Sequence, residues 1–256
     1  MKKPELKLNS NKESMNIADT SQHKAVKVTG FMFLFAFIVP TLNWAFVLSK
    51  FIVAENVMAT AKNIMANELL FRIGITIELI MSVGLVVLAT ALYIILKPVN
   101  KSLALLALSL KLVEAAIVAA IVLVTFIALQ ILKGDAYVTA FTPEQLQVPV
   151  GFLLNKHTTL YSIAMVFLGL DMMVFSYLFF ESSYIPRILA GFGILSFALI
   201  FIHALMFILA PEYVAMQISQ ILFYAPSGLF EIIIGIWLLF KGVNIQQGAK
   251  NRVYNK

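Results

Sequence analysis

The chain has 256 residues, 61% of them hydrophobic and only 12% charged. A soluble domain carries roughly twice that share of charge, so this composition excludes a water-soluble globule. The absence of cysteine excludes disulfides, thiol catalysis and cysteine metal sites, and three histidines leave little for a histidine-rich one. The net charge of +6 does not mark a nucleic-acid surface, because the basic residues sit at the ends of apolar runs, where topology determinants lie.

What remains is an all-α, polytopic integral membrane bundle. Crossing a ~30 Å hydrocarbon core takes about 20 helical residues, and six apolar runs are long enough. Residues 1–27 are polar and lysine-rich, and they read as a disordered basic cytoplasmic arm. No small-residue cleavage site follows the first apolar run, so that run is expected to be an uncleaved helix and not a signal peptide. The first span covers 28–48, with Pro40 inside it as a kink. The connection 49–68 holds Lys50, Glu55, Lys62 and Asn63 and is expected to form an interfacial amphipathic helix.

The second span covers 69–96 and ends at the polar turn Lys97-Pro98-Val99-Asn100-Lys101. The third covers 102–132. The connection 133–156, with Asp135, Pro143, Glu144 and Pro149, reads as an ordered loop or short lid. The fourth span is 158–180, the fifth 185–210 and the sixth 213–240, where Pro226 should kink the helix. Together 28–243 form one transmembrane domain, followed by a short basic tail at 244–256. Thirteen of the nineteen Lys and Arg residues fall on the side of the termini and four on the other. The positive-inside rule then places both termini in the cytoplasm of a cell (plasma) membrane. No internal repeat is evident.

Charged residues inside the spans carry the functional signal. Each costs on the order of 2.5–3.5 kcal/mol at the bilayer centre. Arg72, Glu78, Lys111, Glu114, Asp171 and Glu231 lie within the spans, and His157 opens the fourth. At about 1.5 Å rise per residue, Glu78, Lys111 and Glu114 are expected to share a midplane layer, with Asp171 and Glu231 toward the cytoplasmic half. Lys111 and Glu114 stand at i and i+3 and can pair. Glu231 sits in a stripe with Ser227 and Gly235, for which Gly191 and Gly193 of the fifth span are the expected docking surface. Two cations, Arg72 and Lys111, face four carboxylates. Two carboxylates are therefore expected to carry a proton, bind a cation or line a wet cavity. His203 on an apolar helix reads as a packed histidine and not as a metal ligand. No phosphate-binding, zinc-protease or nucleophile-elbow motif is present.

Several segments resemble a bacterial membrane protein family known as domain-of-unknown-function family 4386. They are Asn67-Glu68-Leu69-Leu70-Phe71-Arg72, Leu96 through Lys101, Lys111-Leu112-Val113-Glu114-Ala115, His157, Phe167-Leu168-Gly169-Leu170, Ser183 through Gly191, and Glu231 with Ile236 through Val243. The likeness covers about 30–243. The family usually has Arg where this chain has Lys111, and Asp171 matches no family position. The resemblance implies a multi-pass membrane protein and no particular activity.

The expected function is that of an uncharacterised membrane protein with a buried charged core, acting as a proton- or cation-responsive small transporter. The alternative is a regulatory or structural protein whose buried charges fix helix packing. No enzymatic role and no cofactor or metal are expected. The expected partners are the lipid bilayer and a proton, cation or small solute, with no nucleic acid.

Overall fold

The computed structural model describes residues 3–53, 56–133, 150, 151, 153, 157–210, 212 and 217–244. Of these, side chains are described from residue 21 onward, except at 57, 157, 158 and 217–220. The expectations for the loop or lid at 133–156 and for the tail at 244–256 fall almost wholly outside these residues.

Seven helices make up the described chain: α1 Lys3–Phe46, α2 Val57–Ala66, α3 Glu68–Leu96, α4 Lys101–Leu132, α5 His157–Ser182, α6 Arg187–Leu209 and α7 Gln217–Phe240. Six contain stretches long and apolar enough to cross a membrane, and only the short α2 does not. The protein is an all-helical multi-pass membrane protein. Where the described residues reach a limit, it differs from the sequence reading by a few residues.

The first helix begins at Lys3, far ahead of the apolar run, so the arm expected to be disordered is helical from Lys3 onward. After Pro4 the segment has no proline or glycine before Gly30. Once the apolar part is helical, propagation back through ordinary residues costs little per residue. The candidate membrane span within it is Ser21–Lys50. The expected start of the last span, at 213, lies outside the described residues, and α7 is described from Gln217.

Helix ends follow local chemistry. The Asn100 side chain accepts from the Leu103 amide at 3.1 Å and starts α4 directly after the Lys97 turn. Ser183, in the left-handed region at φ 54°, turns the chain between α5 and α6. Pro186, which lacks an N–H, precedes α6. Gly242 at φ +73° caps α7, its amide donating to the Trp237 carbonyl at 3.1 Å.

The helices pack as a closed ring. Each span lies against its neighbour in the chain, and α1 lies against α7 to close the circuit. On the face carrying the chain ends, the Lys27 ammonium donates to the Leu239 carbonyl, Gln22 donates to the Ile95 carbonyl at 3.1 Å, and the Asn244 amide reaches the Tyr184 carbonyl at 3.1 Å. That half of the ring is filled by Phe33, Phe175, Phe179, Phe197 and Phe230. On the far face, the 3-10 turn Leu48–Lys50 and α2 fold over the ring, with Leu48, Phe51 and Ile64 packed on Phe71, Ile75 and Leu129. The expected helix in 49–68 is present, and its buried Thr60, Ala61 and Ile64 face the bundle.

Helix α3 shows how the ring sorts its residues. Phe71, Ile75, Glu78, Ser82, Leu85, Leu92 and Leu96 turn inward, while Leu79, Ile80, Val83 and Val87 are exposed. The outward face is as apolar as the inward one. That suits lipid, where only polar groups are driven inside.

Candidate functional site: a buried ion cluster

Lys111 projects from the middle of α4 and is 1% exposed. Its ammonium lies 2.8 Å from Glu114 Oε2, one turn along the same helix, and 3.0 Å from Asp171 Oδ1 on α5. The two carboxylate side chains are 4% and 0% exposed. The contact to Glu114 is a hydrogen bond. The contact to Asp171 is an ion pair outside hydrogen-bond angles, and both Asp171 oxygens are buried without a donor of regular geometry. Glu114 and Asp171 thus contact the same ammonium.

Asp171 therefore joins Lys111 and Glu114 and does not sit in a separate layer. The helix limits explain it. Lys111 is ten residues from the start of α4 and Asp171 eleven from the end of α5, so both lie roughly 15 Å above the same face of the bundle. Glu231 on α7 is half-buried and within electrostatic range of Lys111 and Glu114.

Glu78 lies elsewhere. It is higher on α3, toward the far face, where the Tyr161 hydroxyl of α5 donates to its Oε1 at 3.4 Å. It borders a cavity of about 20 Å³ lined also by Leu48, Ile52, Thr60, Ile64, Phe71 and Thr125, enough for about one water. One turn toward the cluster, Ser82 donates to the Ala115 carbonyl at 2.8 Å and ties α3 to α4. Tyr161 was not singled out in the sequence. The available signal was a phenol hydroxyl one turn into the fourth span, beside Ser162.

Arg72 is not part of the core. Its Nε donates to Glu68 Oε1 at 2.6 Å, and Lys133 Nζ donates to the same oxygen at 3.0 Å. Its guanidinium stands 5.7 Å from the Phe126 ring. The i, i+4 spacing of Glu68 and Arg72 was the signal for that pairing. Lys111 is consequently the one buried cation among the described residues, with Glu114 and Asp171 in contact and Glu78 and Glu231 on other helices. His157 opens α5, and its side chain lies outside the described residues.

His203 on α6 is buried, its ring against Phe223 and Tyr224 of α7, with neither nitrogen hydrogen-bonded. Among the described residues no three metal-ligating side chains converge. The glycine surface of α7 also differs from expectation. Gly235 faces Gly30 and Leu34 of α1, while Gly193 takes the Phe230 ring and Gly191 touches nothing.

The arrangement can hold charge in a low-dielectric interior, and it links two helices through that charge. Residues 28–242 match the family described as "Domain of unknown function (DUF4386)". No curated protein and no solved structure matches the chain.

Proposed function

The chain belongs to the DUF4386 family, and from its geometry we propose that it is a proton- or cation-responsive small transporter centred on Lys111, Glu114 and Asp171. The observation that carries this reading is the excess of carboxylate over ammonium in a buried cluster shared by α4 and α5. A buried ion is costly unless its charge is compensated. One cation set against two carboxylates leaves a negative charge, which a proton or a passing cation neutralises. Glu231, within electrostatic range, adds a third acid group on the opposite side of the ring. An ion that loads this cluster changes the attraction between α4 and α5, and so biases how the two helices pack.

In this reading both termini face the cytoplasm, as the Lys and Arg distribution favours. The reading is non-enzymatic: the cluster's ammonium and carboxylates are engaged in pairing with one another. A second reading treats the cluster as a packing device, with Lys111 pinning α4 to α5. The near-complete burial of all three side chains favours it.

Ion flux into proteoliposomes separates the two. Wild type should carry pH-dependent flux that Glu114→Gln and Glu231→Gln reduce at least tenfold. Identical flux in all three preparations would end the transport reading. Loss of thermal stability in Glu114→Gln, with no flux in any preparation, would leave the packing reading.

A further inference from the structure

We propose that Glu114 and Asp171 hold one proton between them beside a charged Lys111, so that the ion this core responds to is the proton. This deepens the reading above and rests on it only for its consequence, not for its chemistry.

Three observations converge. The ammonium of Lys111 occupies the position between the carboxylates, 2.8 Å from one and 3.0 Å from the other. A metal cation seeks about six oxygen ligands, and here the ammonium fills that place and would repel it. Next, Lys111 satisfies Glu114 in regular geometry, whereas both oxygens of fully buried Asp171 lack a properly aligned donor. Finally, both carboxylates contact one ammonium and so crowd the same buried pocket. Ionised carboxylates only accept hydrogen bonds, and two so placed repel. A single proton makes one of the pair a donor, able to form a charge-assisted O–H···O⁻ bond. It supplies the donor that Asp171 lacks and brings the cluster to neutrality with Lys111.

Groups on the adjoining helices bear on the same proton. On α3, Glu78 accepts from Tyr161, which is itself within electrostatic range of Glu114. On α7, Glu231 is within range of Lys111 and Glu114. On α6, His203 packs against aromatic rings. Ionisation of either glutamate favours keeping the shared proton in place. Release breaks only the O–H bond: the proton goes to water, and two carboxylates and one ammonium remain.

The test is infrared spectroscopy of the full chain in nanodiscs at neutral pH. A protonated-carboxyl stretch should be present. One component of it should vanish in both Glu114→Gln and Asp171→Asn, because each variant leaves a one-to-one ion pair that needs no proton. Glu231→Gln should keep that component. Survival of the component in either pair variant, its loss in Glu231→Gln, or no such stretch in wild type would overturn the proposal. Should the variants fail to fold, carbon-13 aspartate labelling of wild type decides. Asp171 is the one aspartate within the spans, the others being Asp19 and Asp135, so the label must shift part of the band; an unshifted band overturns the proposal. Proteoliposome flux keeps the two ideas apart. The expected band behaviour without flux sinks transport and leaves the shared proton, and flux without the band does the reverse.

Discussion

Lys111 and Arg72 carry the same charge in different surroundings, and single substitutions should separate them. Lys111 and its two partners are excluded from solvent, whereas the Arg72 and Glu68 side chains are 33% and 29% exposed. Breaking a buried ion pair by removing one partner costs about 3–5 kcal/mol, while an exposed pair contributes about 0–1 kcal/mol. Lys111→Met should therefore lower thermal stability in detergent sharply at alkaline pH. The loss should shrink as the pH falls, because the stranded carboxylates can then take up protons. Arg72→Ala should change stability by less than about 1 kcal/mol. A loss in Lys111→Met that does not depend on pH would argue against stranded charge as its cause. The Lys111–Glu114 pair was legible from its i, i+3 spacing. Asp171 was not, because sequence spacing relates residues on one helix and is silent on the partner across an interface. Arg72 was miscounted as an interior cation because its partner Glu68 stands at the very end of its helix.

At the scale of helices, glycine decides how closely α1 and α7 approach. A Cβ at Gly30 would stand 2.9 Å from both the Gly235 carbonyl oxygen and the Leu239 amide nitrogen, and backbone cannot yield as a side-chain tip can. A Cβ at Gly191 would meet nothing within 4 Å. Gly30→Ala should thus cost about 1–3 kcal/mol, typical of overpacking. Gly191→Ala should be neutral, or stabilise by up to about 1 kcal/mol through helix propensity. Thermal unfolding of the two variants in parallel checks this, and equal effects would contradict the packing described. The sequence marks where small residues lie on a helix, which is why Ser227, Glu231 and Gly235 stood out. It does not mark which helix fills the gap. Both proline positions inside helices were legible: Pro40 lies within α1 and Pro226 within α7.

For the whole molecule, the number of spans was readable because a bilayer imposes a minimum length on every crossing helix. Their arrangement was not. Lipid-facing and core-facing surfaces are equally apolar, so the hydrophobic contrast that orients helices in water is missing. Ring closure between α1 and α7, the first and last helices, is the least legible step, and it encloses the Lys111 cluster. A disulfide can test it, because the natural chain has no cysteine to compete. A Cβ built at Gly235 lies 2.8 Å from Leu34 Cγ, which puts the two Cβ positions within about 4.5 Å, inside the range a disulfide spans. Shortening Leu34 to cysteine also makes room for the new side chain at 235. The double variant Leu34→Cys, Gly235→Cys should lose both maleimide-reactive thiols on mild oxidation in membranes, and a reductant should restore them. Moving the first cysteine to Phe31, whose side chain is 58% exposed, should leave both thiols reactive. If thiols at 34 and 235 stay reactive after oxidation, the ring is open at α1, and the cluster on α4 and α5 is not enclosed by six helices.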